Sequence, residues 1–217
     1  MEEIIKLIST YGLSVVISGL VLFFAVKLGN ALFDDYKKKR AEKTEDTLAE
    51  ARNHVSTTIM AILERTLLRA HCDRAYVFEF HNGTTSMGGL PFMKMTNTYE
   101  ALGEGARSEM AGRENMPMQM YTTFINSITT NNCIIMDTRN RTDVATGFEY
   151  ETLVARGVAV SVRAKIKDIN MRVVGYFGID YCQDKPVDDA VVEASIGLVQ
   201  GAANEIGALL TVNKKAA

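Results

Sequence analysis

Residues 74–99 read RAYVFEFHNGTTSMGGLPFMKMTNTY, and the reading of this stretch decides the fold. Tyr76, Phe78 and Phe80 alternate as they do in a half-buried strand. His81-Asn82-Gly83 breaks that run, Gly-Gly-Leu-Pro at 88–91 makes a turn, and a second strand follows. The stretch is therefore predicted to be the opening hairpin of a sheet. The residues before it read as a device for holding that sheet at a membrane, and the residues after it as the rest of the same domain.

Working outward toward the C-terminus, the next clear strands lie within 160–180. Val160, Val162, Ala164 and Ile166 point one way while Ser161, Arg163 and Lys165 point the other. Val173, Gly175, Phe177 and Ile179 likewise alternate with Val174, Tyr176, Gly178 and Asp180. Pairing Lys167 with Arg172 across an Asp168–Met171 turn sets Val162 opposite Phe177 and Arg163 opposite Tyr176, so both apolar sets share a face. Pro186 and Asp188-Asp189 then open a helix with Val192, Val199, Ile206 and Leu210 in one stripe.

Between hairpin and strands, LGEGARSEMAGREN (102–115) lacks apolar periodicity and reads as a mobile loop. Pro117 is suited to open a helix reaching Thr129. Cys133–Met136 forms a short buried strand, and residues 139–157 pass from a polar loop into a helix that Gly157 stops.

Toward the N-terminus, twenty uncharged residues, Leu7–Val26, span about 30 Å as a helix. This predicts a single transmembrane helix with the lipid bilayer as partner through residues 7–26. Glu2 and Glu3, with no small-residue cleavage site, weigh against a signal peptide, and a buried core helix is the alternative. Lys37, Lys38, Lys39, Arg40 and Lys43 follow the span while Lys6 alone precedes it. The positive-inside rule then sets the N-terminus outside and the bulk of the chain in the cytoplasm, expected at a bacterial inner membrane. No glycine or proline occurs between Ala31 and Gly83, so a continuous helical stalk is predicted. Val55, Ile59, Ile62 and Thr66, one heptad after Leu48, form a seam for the C-terminal helix, a second subunit, or both. The expected organisation is a transmembrane helix at 1–33, a stalk at 34–70, a domain with one core at 71–212 and a tail at 213–217.

Composition narrows the function. A net charge of -2 over 217 residues and a pI near 6.0 supply no basic field for nucleic acid. Three widely spaced cysteines with no C-x-x-C suit free thiols in a reducing compartment.

The order helix, two strands, helix, strand, helix, strand pair, closing helix, together with GVAVSVRAKIKDINMRVVGYFGIDY (157–181) before a long amphipathic helix, resembles a GAF domain over residues 47–212. A PAS domain is the nearest rival, but its helices cluster between its second and third strands. The fold class implied is α+β: an N-terminal transmembrane helix continuing into a helical stalk, then a GAF-like antiparallel sheet flanked by helices. The Phe80–Gly83 strand end and Thr98-Tyr99-Glu100, behind a short anchor, also resemble uncharacterised membrane-anchored proteins of tailed bacteriophages. The GAF resemblance implies a small effector bound between sheet and connecting helices, and a homodimer formed through the first and last helices. The set that marks the cyclic-nucleotide subgroup has no continuous match, since Asn140-Arg141 runs into Thr142-Asp143. No cysteine lies in the context that holds a bilin covalently, and the cofactor stays unidentified.

Candidate ligand-binding residues follow from the less apolar sheet face. Ser161, Arg163, Tyr176 and Asp180 lie on it, with Arg163 as anchor for an anionic or carbonyl group. Phe80, His81 and Met95 are expected at the rim, with Gly103–Asn115 as a lid and Gly178 leaving room for a ligand. His81 also reads as a turn-capping residue. His71, Cys72 and His81 match no zinc spacing, so no metal is expected. Cys133 and Cys182 raise a thiol-dependent reductase on the same scaffold, against the reading of each as a small hydrophobe; no base for nucleophilic catalysis is evident, and no catalytic residue is assigned. The function classes are a membrane-anchored sensory or small-molecule-binding module, a scaffold with a filled pocket, and that reductase.

Overall fold

The computed structural model describes residues 1–85, 91–139, 147–183 and 186–216. The turn expected at 88–91 and the Asn140–Asp143 segment lie outside the described residues, Pro91 excepted. The chain divides into two units, Met1–Ala51 and Arg52–Ala217.

In the first unit, α1 (Glu2–Tyr11) ends at Gly12, whose φ of 78° belongs to the left-handed region. The helix α2 (Leu13–Ala70) then begins. A single uninterrupted helix over 7–26 is thus corrected: among the described residues, the segment long and apolar enough to cross a membrane is Ile17–Arg40.

The second unit takes in the end of α2 from Arg52, so the domain begins before residue 71. Its six-stranded sheet comprises β1 (Arg74–Thr85), β2 (Pro91–Leu102), β3 (Met116–Pro117), β4 (Cys133–Asp137), β5 (Val158–Lys167) and β6 (Val173–Cys182). The strand order is β3-β2-β1-β6-β5-β4, and each adjacent pair is antiparallel. The hairpin read from 74–99 is present, with β1 running through His81-Asn82-Gly83 instead of stopping there. Two short helices, α3 (Thr122–Thr130) and α4 (Phe148–Ala155), and the long α5 (Asp189–Ala216) complete the fold. The helix α4 ends before Gly157, at φ 66°, as expected. The helix α5 continues through the segment read as a tail. Asp188 caps it, its side chain accepting from Ala190 N at 2.9 Å.

The β5–β6 register differs from the sequence pairing by two residues. The turn closes one residue wider, with Lys167 opposite Val173 and Asp168 N donating to Arg172 O at 2.9 Å. A bulge between Ile166 and Lys167 adds the second step, so Val162 faces Ile179 and Arg163 faces Gly178. A two-residue slide leaves every side chain on its predicted face.

The single expected core is instead two, one on each face of the sheet. On one face Val77, Val162, Ala164, Phe177 and Ile179 meet Val55, Ile59, Ile62 and Leu63 of α2 and Val192, Val199, Ala203 and Ile206 of α5. The seam positions Val55, Ile59, Ile62 and Thr66 are therefore buried inside the protomer, where the first three pack with α5, one of the partners expected for them. On the other face Tyr76, Phe78, Met95 and Tyr176 meet Tyr121, Phe124 and Ile128 around α3 and Leu153 of α4.

Candidate functional site

Strand alternation sends Arg74, Tyr76 and Phe78 of β1, Ser161 and Arg163 of β5, and Tyr176 and Asp180 of β6 to the α3/α4 face. Every one of these side chains is buried, although Arg74, Arg163 and Asp180 are charged. Lys165, next along the face, reaches the end of α3, its Nζ donating to Thr129 O at 2.9 Å and Thr130 O at 3.2 Å.

Asp180 is the hub of one half. Its Oδ1 accepts from Tyr76 Oη at 2.9 Å and Ser161 Oγ at 2.7 Å, and its Oδ2 from Arg156 at 2.9 Å and Arg74 at 3.3 Å. Glu109 pairs with Arg74 at 3.1 Å and with Arg156, and Glu100 lies 3.6 Å from Arg74. Burial alone would raise the Asp180 carboxyl; the Arg156 and Arg163 guanidiniums outweigh it and hold the pKa below the ordinary carboxylate range. Burial pushes the Tyr76 phenol up to about 12, so it stays a neutral donor.

Glu149, in the first turn of α4, is the hub of the other half. Its Oε1 pairs with Arg163 Nη1 and lies 3.7 Å from Arg113 Nη2. Arg163 Nε donates to Ser161 Oγ at 2.9 Å, which joins the two halves. Aromatic rings wall this half: Arg113 sits 4.6 Å over Phe78, Arg163 sits 4.8 Å over Phe124, and Phe78 stacks on Tyr176 at 4.9 Å.

The structure thus brings together Ser161, Arg163, Tyr176 and Asp180 and covers them with α3, α4 and the 103–115 segment. It does not give Arg163 an open surface: the residue is wholly buried, and its carboxylate partner is Glu149. Nor does Gly178 leave room, because a Cβ there would lie 2.6 Å from the Tyr76 ring. The 103–115 segment is tied down, contrary to a mobile lid: Glu100 accepts from Glu109 N at 3.0 Å and Ser108 Oγ at 2.6 Å, and Arg113 O accepts from Asn97 N at 2.9 Å. The segment that reads as a mobile loop instead supplies Glu109 and Arg113 to the buried network.

The expected rim is split. Phe80 is half-buried, its ring 6.2 Å from Tyr176, and Met95 opposite it is fully buried, not at a rim. His81 falls on the other face of β1 with Nε2 2.9 Å from Thr96 Oγ1. It lines a groove of about 520 Å³ with Glu79, Asp168, Arg172 and Leu210, which Phe80 also borders. The two candidate thiols are also apart: Cys133 pairs with Ala164 and Cys182 with Val158. Six residues of β5 separate those positions, about 20 Å, too far for a disulfide. Burial pushes the Cys133 thiol up to about 11, away from nucleophilic thiolate.

Arg74, Tyr76, Arg113, Glu149 and Arg156 escaped the sequence reading. Arg74 and Tyr76 share the alternation of Phe78, and Glu149, Leu153 and Arg156 recur at four and three on one side of α4, so both signals were present. Arg113 has no such signal.

Neither a protein-family model nor a curated protein matches the sequence. Solved structures do match. A Synechocystis GAF domain in its photoproduct state superposes with a TM-score of 0.54 at 12% identity, covering 74% of this chain and 96% of that one. The blue-light absorbing form of the Thermosynechococcus elongatus PixJ GAF domain gives 0.52 at 10%, covering 76% and 92%. The phycocyanobilin-bound GAF domain of a cyanobacterial phytochrome gives 0.51 at 14%, covering 79% and 94%. At these identities the likeness is one of fold: the chain has a GAF-like α+β fold, an antiparallel sheet covered by helices on both faces behind an N-terminal apolar helix.

Proposed function

We propose that this chain is a membrane-anchored sensory module that binds a small molecule on the α3/α4 face of its sheet. One observation carries the reading. Polar atoms of Arg113, Arg163, Glu149 and Tyr176 are out of reach of solvent and have no hydrogen-bond partner. Each such orphan costs about 1–3 kcal/mol, so a guest that satisfies several at once binds favourably. The bilins named with the solved GAF domains are large, whereas Phe124, Arg163 and Tyr176 fill this face with side chains exposed by 2% or less. The guest here is smaller than a tetrapyrrole.

Anchoring is supported by Ile17–Arg40, where Leu20, Val21, Leu22, Phe23 and Phe24 are all more than half exposed. The lysines and arginine at 37–40 and Lys43 then favour the cytoplasmic side for the domain. A scaffold with a filled pocket is the second reading, favoured by the stacking of Phe78 on Tyr176 and the edge-to-face contact of Phe124 with Tyr176. Native mass spectrometry of the full chain released from detergent micelles separates the two. The binding module retains an adduct of a few hundred daltons or less, or gains one with a rise in melting temperature. A bare chain whose melting no small molecule moves is the scaffold.

A further inference from the structure

The two halves of the buried network differ in charge. Asp180, Glu100 and Glu109 face Arg74 and Arg156, one negative charge in excess. Arg113 and Arg163 face Glu149 alone, one positive charge in excess, and both converge on the same oxygen, Oε1. Asp180 cannot serve as a direct partner for Arg163, since four donors already occupy its two oxygens and the Ser161 hydroxyl stands between.

The unpartnered atoms carry the same sign. Arg113 Nε, Arg113 Nη2, Arg163 Nη2 and the Tyr176 hydroxyl are donors without hydrogen-bond acceptors, against one free acceptor, Glu149 Oε2. Arg163 and Tyr176 are entirely buried and Arg113 is 5% exposed. Phe78 and Phe124 lie against the two guanidiniums, which lowers the local dielectric and strengthens any attraction to an anion. A planar group with two oxygens matches the guanidinium fork, and a single negative charge neutralises the excess.

We infer that the guest is a small monocarboxylate, held by Arg113, Arg163 and the Tyr176 hydroxyl, with Glu149 as the resident counter-ion that it joins or displaces. This assignment rests on the ligand-binding reading above.

The test is thermal unfolding of the full chain in detergent micelles at constant ionic strength, with sodium chloride replaced stepwise by sodium acetate or sodium butyrate. Acetamide serves as the neutral isostere and inorganic phosphate as the competing oxyanion. The carboxylates raise the melting temperature by about 5 °C near saturation and acetamide leaves it unmoved. Arg113→Gln abolishes the rise. Glu149→Gln removes the resident charge and tightens acetate binding by about tenfold or more. Should Glu149→Gln fail to fold, Arg113→Lys replaces it: charge without the fork retains a weakened rise. A rise with phosphate and none with carboxylates overturns the monocarboxylate. A neutral molecule that stabilises the chain where acetate does not overturns the anion assignment and leaves the binding module standing. If neither carboxylate nor any other small molecule moves the melting temperature, and the native mass is bare, both fall.

Discussion

The two faces of this sheet are both buried, yet they are held by different physics. The α2/α5 face is a dry aliphatic layer in which Ile59, Val77, Val162, Phe177, Ile179 and Ile206 are at or near zero exposure. Its stabilisation comes from apolar area removed from water, at about 25 cal/mol per Å². The α3/α4 face buries Arg74, Arg113 and Arg163, with Arg156 half-buried beside them, and sets them against carboxylates among Phe78, Phe124 and Tyr176. Taking those charges out of water costs energy that pairing only offsets. The contrast locates function: a dry layer specifies the fold, while a charged layer with unpartnered atoms is expensive unless something uses it.

The largest expected effect tests the charged layer. Arg163→Ala leaves Glu149 buried without its closest partner and should cost about 3–5 kcal/mol, read as a shift in the urea midpoint. A loss under about 1 kcal/mol would mean that water already solvates this half, and the contrast between faces would fail. Next, Ile59→Ala on the dry layer should cost about 2–4 kcal/mol by opening a cavity under the sheet. That loss should be the same at pH 7 and pH 4, because the side chains of this cluster do not titrate in that range.

A smaller effect sharpens the boundary between the faces. Gly178→Ala drives a Cβ into the Tyr76 ring, 2.6 Å away, and should cost about 1–3 kcal/mol while disturbing the Tyr76–Asp180 hydrogen bond. A crystal structure or the tyrosine fluorescence reports the ring's displacement; an unmoved ring would show that β6 can shift instead. The last test is acid titration. The folded pKa of Asp180 is depressed below its unfolded value, so its contribution to stability is complete above the unfolded pKa of about 3.9 and is lost as the pH falls through the folded value. Wild type should therefore weaken progressively below about pH 4, and Asp180→Asn should flatten that limb of the curve.

Much of this architecture was legible because backbone geometry imposes a period. Alternation along 160–180 assigned Val162 and Ile179 to one layer and Ser161, Arg163, Tyr176 and Asp180 to the other, and it did so despite a register wrong by two residues. The stripe Val192–Val199–Ile206 likewise announced the face of α5 that lies on the sheet. His81 was misjudged because its neighbours, not its own parity, suggested the rim: residue 81 is out of phase with Phe80 and falls on the far side of β1.

By itself, then, the sequence determined the element order, the apolar helix near the N-terminus and which strand residues share a face, since each depends only on spacing along the chain. Tertiary structure decided the β5–β6 register, through a wider turn and a bulge whose cost depends on what packs above them. It also decided that Arg113 from a loop, Glu149 from α4 and Arg163 from β5 would meet. Those three lie tens of residues apart or in different elements, and no local period records the loop closures that carry one charge to another. A buried ion pair is specified by complementarity in space, which spacing along the chain does not encode.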